Sequence, residues 1–582
     1  MLRGCKAAAA GVAAASLTLW NAKATALEAP PFDTCVIGGG VVGLAVAREC
    51  AARGYTTVLL EREESLAACA SSGNSGLGCT GYDAPAGSLE RRLLRRSIQR
   101  HQHLYRSFGL SHDHVRKCGS LVVAWTPAQL AELPAILAEN REGGDEEAML
   151  LDQEELRELE PGLSHGALGA VLCPYEAVVE PWLVPVGYAE SARLHGASIR
   201  TSTAVVGATF EASSSGSESG SGGVWRIAVE HDAMRRAASG RSKAGELLVP
   251  LPMAAAEEEG LAKRSFSGGR QRWTVQRKPV RRGVTASTVA ARVVINCAGL
   301  HGDAVDALKD EAAATSTTSS FTIVPRKGQF IVFAQIKGND NNNNDNDNDD
   351  NDNDDRRQLT HIIEPVPTQF TKGVIIFQSV YGNLIVGPTA VNQTDRFDRS
   401  TDLATVAALK MWGEKALPML KGAAVLGTYS GLRPSTEHRD YQIKSNFARR
   451  WITVAGIRST GLTASSGIAE YVADLLVAQL GKAGDGELVV AAAGSTAGAS
   501  ASAVRDDTIV VAPDGLTPIS AAARNPERLV ATVSKVSNAR VPPLAELARN
   551  YRERGDGFVE VYGRPQRVTH PISSFGMGSY GE

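Results

Sequence analysis

Residues 33–63 read DTCVIGGGVVGLAVARECAARGYTTVLLERE. The apolar run 34–37 predicts a strand, Gly38, Gly40 and Gly43 follow it as a glycine turn, 42–53 predicts a helix, and 56–60 predicts a second strand ending at Glu61. That succession is a βαβ unit. The first glycine permits a tight turn, the second lets a pyrophosphate approach the backbone, and the third lets helix and strand pack closely, with the phosphates at the helix N-terminus. Glu61 is spaced to accept hydrogen bonds from a ribose hydroxyl. The motif predicts a Rossmann-like dinucleotide-binding domain and does not by itself separate FAD from NAD.

Working outward, the chain has 582 residues, 43% of them hydrophobic and 21% charged, enough for a large core and too many for one ordinary domain. Predominant disorder is excluded. The formal net charge is -2, so the basic bias that phosphate-backbone binding needs is absent and no nucleic-acid partner is expected. The run 339–355, NDNNNNDNDNDDNDNDD, holds eight of the acids and lacks the glycine and closing glutamate of a calcium loop. It predicts a solvated insertion, as do 213–223 and the polar stretch 235–271. Eight scattered cysteines show no Cys-x-x-Cys pair, so neither a disulfide framework nor a metal site is expected.

Residues 1–30 carry Arg3, Lys6 and Lys23, no acid before Glu28, and an apolar stretch at 7–20. They predict a targeting segment, mitochondrial in composition, with a secretory or other organellar address as the alternative. No stretch is long enough to predict a transmembrane span. From 321 to 388 the pattern changes to short β-rich runs, which predicts a mostly antiparallel second domain. Residues 451–476, WITVAGIRSTGLTASSGIAEYVADLL, predict a strand, a glycine turn and a helix whose N-terminus could face developing negative charge on a cofactor.

The blocks VIGGGVVGLAVA, SGNSGLGCTGYDAPAGSLE, VVINCAGLHGDAVDAL, PRKGQFIVF, YGNLIVGPTA, YSGLRPS and GIRSTGLTASSGIAEYV run in order over roughly residues 32–480. On these blocks the chain resembles the D-amino-acid-oxidase superfamily of FAD-dependent oxidoreductases, most of all the branch of L-2-hydroxyglutarate dehydrogenases and FAD-linked glycerol-3-phosphate dehydrogenases and oxidases. The resemblance implies an α/β fold in which a discontinuous Rossmann-like FAD-binding domain (32–115, 172–310 and 427–482) joins a mostly antiparallel substrate domain (116–171 and 311–426), followed by a C-terminal extension (483–582) expected to pack back on the body. It implies that Gly38, Gly40, Gly43, Glu61 and Arg62 line the adenosine side of FAD and that Ser72, Asn74, Ser75 and Gly76 pass beside the flavin. Val205 would meet the adenine, Ala298 and Gly299 the pyrophosphate, and Gly456, Ser459, Thr460, Gly461, Leu462 and Thr463 the pyrimidine edge.

The resemblance also implies hydride transfer from a small anionic 2-hydroxy acid or polyol phosphate to flavin N5, with a quinone or other acceptor taking the electrons. An amino-acid oxidase and a non-catalytic FAD-binding assembly factor are the alternatives. Arg433 is expected to bind the substrate anion, because a planar guanidinium matches a carboxylate or phosphate in bidentate fashion. Lys327 and Arg458 are secondary candidates, and Tyr429 is expected to hydrogen-bond the substrate. Where related enzymes commonly carry a histidine after NSG-x-x, this chain has Cys79. His301 is therefore the expected base, with His438 the weaker alternative.

Overall fold

The glycine turn lies at the carboxyl end of β1 (Phe32–Ile37), and α1 (Val41–Ala52) leads back to β2 (Thr57–Leu60). The structure, a computed structural model, describes residues 29–110, 113–212, 223–231, 262–267, 270–275, 285–311, 321–335, 359–367, 373–480, 551, 553, 557–561 and 564–574. Residues 1–28 of the expected targeting segment 1–30, and the Asn/Asp run, lie outside the described residues.

The same layer contains β3 (Ser198–Arg200), β4 (Thr203–Glu211), β5 (Val224–His231), β6 (Thr285–Asn296), β7 (Gln442–Asn446) and β8 (Trp451–Ala455). Parallel pairing runs β3, β2, β1, β6, β8. β7 adds antiparallel to β8, and the β4–β5 hairpin pairs antiparallel with the first half of β6. All of β2 and the last four residues of β1 are buried, which explains why these strands read as unbroken apolar runs rather than alternations. Because β1 and β8 both flank β6, the two glycine turns expected from the sequence, distant along the chain, open at the same end of one sheet.

The second layer is a nine-stranded sheet. Its pairing is antiparallel except between Ile362–Pro365 and Ser120–Ala124. Val425–Ser435 pairs along its length with Val324–Phe333. Tyr429 and Arg433, in the stretch expected to open the last FAD-binding segment at 427, lie on a strand of this second sheet, because cross-strand pairing, invisible in local pattern, decides which sheet a strand joins. Part of the stretch expected to be a loop instead forms a hairpin, Ala262–Ser267 with Arg270–Val275.

Helices α2 (Leu89–Ser107), α3 (Gly302–Glu311) and α4 (Gly461–Leu480) complete the first layer. Asp440 caps α2, accepting from Leu89 N at 2.8 Å and Glu90 N at 2.9 Å. No described helix is long and apolar enough to cross a membrane. Where α1, α2 and α4 meet, Glu49 pairs with Arg48 (3.0 Å), Arg53 (3.1 Å) and Arg100 (3.1 Å). Burial alone would raise the Glu49 carboxyl, but the guanidiniums of Arg100, Arg48 and Arg53 outweigh it and hold the group at about 2. A depressed carboxylate stabilises the fold above its ordinary value of 4.5, and that contribution is lost as pH falls toward about 2. Urea unfolding from about pH 5 to about pH 2.5 should therefore show a shallower acid loss in Glu49→Gln than in wild type, by about 2 kcal/mol. Parallel slopes would exclude Glu49 as a source of the acid sensitivity.

Candidate functional site

A cavity of about 890 Å³ runs from the glycine turn of β1 to beneath the second sheet. Its first part is set by close backbone approach: a Cβ on Gly43 would lie 2.0 Å from the Gly38 carbonyl oxygen. Any side chain there would push α1 off the turn. Gly38, Gly40, Gly43, Ala298 and Gly299 line this part. Gly39 N donates to Glu61 Oε2 at 2.5 Å and Glu63 N to Oε1 at 2.7 Å. Burial raises the Glu61 carboxyl above its usual range, against the pull of these two amides. Glu61 lines the cavity beside Arg62, which pairs with Glu63 at 2.8 Å.

Val205 lines the next part with Val305 and Leu308 of α3. The β4–β5 register slips between Val205 and Gly207, and a bulge of this kind interrupts the ladder and leaves main-chain groups for another partner. At the far end the loop after β2 and the first turn of α4 converge. Asn74, Ser75, Gly456, Ser459, Thr460, Gly461 and Leu462 all line the cavity. The Asn74 side chain ties its own loop, donating to Ser71 O (2.7 Å) and accepting from Gly76 N (2.7 Å). Four residues of the expected set lie one layer behind the wall. Gly76 turns with φ +72° against Val179, and Ser72 donates to Ala68 O and Cys69 O. Thr463 Oγ1 accepts from Cys79 N (3.1 Å), and Tyr429 stacks on Phe330 at 4.4 Å with its hydroxyl donating to Asn74 O (3.3 Å). Tyr429 therefore does not reach a substrate in this arrangement.

The second sheet roofs the cavity with alternate residues of one strand, Arg326, Gly328 and Phe330, as a period of two requires. Lys327 and Gln329 point the other way, to Asp398 (2.8 Å) and Asp402 (2.7 Å), so of the Arg326-Lys327 pair it is Arg326, not the expected Lys327, that lines the cavity. Arg326 is the register partner of Arg433. Arg433 donates to Thr389 O (3.1 Å) and pairs with no carboxylate among the described residues. Burial, and then the charge of Arg326, lower it to about 10, so it remains cationic. The strand carrying it touches the cofactor-side loop: a Cβ on Gly431 would lie 2.1 Å from Gly73 O. Glu364, buried and accepting from Tyr82 OH at 2.7 Å, also lines this half. Neither Arg326 nor Glu364 was singled out in the sequence.

His301 lines the cavity away from Arg433. It sits against Phe397 (5.3 Å between rings), near Arg62, where burial and then the charges of Arg62 and Arg396 lower it to about 4. An imidazole so placed is a weak base and stands with Arg62 rather than Arg433. His438 is exposed and off the cavity wall, with Glu437 at 3.6 Å. Arg458 lines the cavity but is engaged by Glu90 (3.4 Å). Cys79 lines it too.

A glycine cradle, a carboxylate lining the cavity beside it, a bulged strand and a cavity that continues under a second sheet fit a dinucleotide whose far end carries a ring system. The architecture is thus that of a two-domain flavoprotein. The comparisons agree: the family model of FAD dependent oxidoreductases matches residues 33–240 and 258–475, and the chain belongs to that family. It is 24% identical over 446 residues to a glycerol 3-phosphate dehydrogenase of Caloramator mitchellensis, covering 76% of this chain and 74% of that one. It is 25% identical over 315 residues to the mitochondrial L-2-hydroxyglutarate dehydrogenase of Bos taurus, covering 53% and 54%. Among solved structures, the dithionite-reduced L-α-glycerophosphate oxidase of Mycoplasma pneumoniae with FAD bound superposes with TM-score 0.56 at 20% identity, over 78% of this chain and 95% of that one. The cofactor of this oxidoreductase is FAD.

Proposed function

We propose that the chain oxidises the CH–OH group of a small anionic 2-hydroxy acid or polyol phosphate, of the L-2-hydroxyglutarate or glycerol 3-phosphate type. The observation that carries this reading is the Arg326–Arg433 pair. Two guanidiniums on adjacent strands, one of them, Arg433, paired with no carboxylate among the described residues, make an anion subsite on the roof of the cavity. FAD, when bound, supplies the two-electron acceptor. Arg326 and Arg433 hold the substrate anion, and the second sheet covers the site from water. Glu364 accepts the proton that the substrate hydroxyl releases, with Tyr82 fixing its carboxylate. Gly38, Gly40, Gly43, Glu61, Val205, Ala298 and Gly299 hold the adenosine and pyrophosphate, and Asn74, Ser75 and the first turn of α4 hold the flavin ring. A quinone or similar carrier takes the electrons onward. The basic, acid-free leader and the mitochondrial relatives support a mitochondrial address.

Anaerobic mixing with candidate donors tests the reading: L-2-hydroxyglutarate or glycerol 3-phosphate should bleach the flavin band. Bleaching by an amino acid alone would move the chain to amine chemistry. No bleaching by any donor would favour a role in binding rather than turnover.

A further inference from the structure

The family model ends at residue 475, yet a segment far beyond it enters the core. Val559, Val568 and Ile572 are buried in the same apolar cluster as Leu44, Tyr429 and Phe330. Ser573 is fully buried and donates to both oxygens of the Glu180 carboxylate (2.5 and 3.1 Å), which also accepts from Tyr381 OH (2.8 Å). Thr569 Oγ1 reaches Ala67 O at 3.4 Å. His570, 1% exposed, lies edge-on to Tyr429 (5.9 Å between rings).

The contacts of His570 fix its tautomer. Ile572 N donates to Nδ1 at 3.2 Å, so Nδ1 is the acceptor and the ring proton sits on Nε2. Nε2 is 3.0 Å from the Asn74 carbonyl oxygen and donates to it. Burial holds the ring well below its ordinary value, at about 3, so it stays neutral and the proton stays on Nε2. The Asn74 carbonyl therefore has two donors behind it, His570 and Tyr429, one from outside the family fold and one from the strand that carries Arg433. Asn74 itself faces the cavity.

We propose that residues 557–561 and 564–574 belong to a strap that sets the cofactor-side loop from behind, with His570 as a positioning residue acting on the flavin through the main chain of Asn74. The buried imidazole donor orients the Asn74 peptide, and Ser573 anchors the strap to the family core at Glu180. The inference rests on the placement of the flavin beside Asn74 and Ser75, not on the identity of the substrate.

The test compares His570→Leu, which keeps bulk and loses the donor, with His570→Gln, which keeps an N–H donor, and with the milder Ser573→Ala, all in the full chain. The readouts are FAD dissociation constant and flavin midpoint potential, neither of which needs a substrate. His570→Leu should weaken FAD binding roughly tenfold, the scale of one lost hydrogen bond, and shift the potential. His570→Gln should recover most of both, and Ser573→Ala should weaken FAD about threefold, an intermediate loss on the same scale. Affinity and potential equal to wild type in His570→Leu would overturn the proposal, whatever its melting temperature. So would equal losses in the Leu and Gln variants, since packing rather than the donor would then be responsible. Should neither His570 variant fold, wild-type FAD affinity in Ser573→Ala overturns it. A wild-type chain that binds no FAD would instead remove the cofactor placement itself.

Discussion

Arg433→Ala should lower kcat/KM for the anionic donor by about two orders of magnitude, roughly 3 kcal/mol, with FAD content unchanged. The size follows from where the charge sits. Arg433 is half-buried and hydrogen-bonds the neutral Thr389 carbonyl, and no carboxylate pairs with it among the described residues, so its electrostatic counterpart is expected to arrive with the ligand. Truncation strips the anion of a desolvated, two-pronged partner and leaves Arg326 alone to hold it. Arg433→Lys keeps the charge and loses the fork, and should fall between, near tenfold. The loss should appear mainly in KM, because an anion remote from the reacting carbon is bound alike before and during reaction. An Arg433→Ala enzyme with wild-type KM would take Arg433 out of the substrate site and leave the anion subsite unexplained.

Local pattern was sufficient for the βαβ unit and insufficient for the second sheet, for a physical reason. The turn at Gly38–Gly43 is encoded within one βαβ unit, so spacing, helix start and Glu61 can be read together and the elements fall within two residues of expectation. In the second sheet a side chain's face depends on register. Arg326 and Lys327 are equally cationic and adjacent, and only pairing with Val425–Ser435 shows that Arg326 meets Arg433 while Lys327 meets Asp398. Alternation from Gly328, whose Cβ would strike the Arg433 guanidinium at 2.8 Å, was the one signal that could have separated them. His301 looked suitable because it follows the segment expected at the pyrophosphate, but the short turn Gly299–His301 before α3 sets it near Arg62. Ser72, Gly76, Tyr429 and Thr463 belong to the right segments and shape the wall without forming it. His570 carried no local signal, since its partner Asn74 is nearly the whole chain away.

Glu364→Gln should reduce kcat by a factor of about 10² or more while KM changes little, since general-base assistance contributes on that scale. Oxidising a carbinol removes a hydride from carbon and a proton from oxygen, and the proton needs an acceptor on the substrate side. Cys79 stands where related enzymes commonly have a histidine, and His301 is both displaced and made a weak base by its surroundings. Glu364 is the buried carboxylate on the same sheet as Arg326 and Arg433, and the Tyr82 hydroxyl fixes one oxygen, Oε2. The amide keeps that bond through its carbonyl oxygen, so the variant removes basicity with little change of shape. Solvent isotope effects on the reductive half-reaction should change in Glu364→Gln, because proton transfer would then pass to water. A variant that reduces its flavin within about threefold of the wild-type rate, far short of the loss expected for a base, would show that the proton leaves by another route.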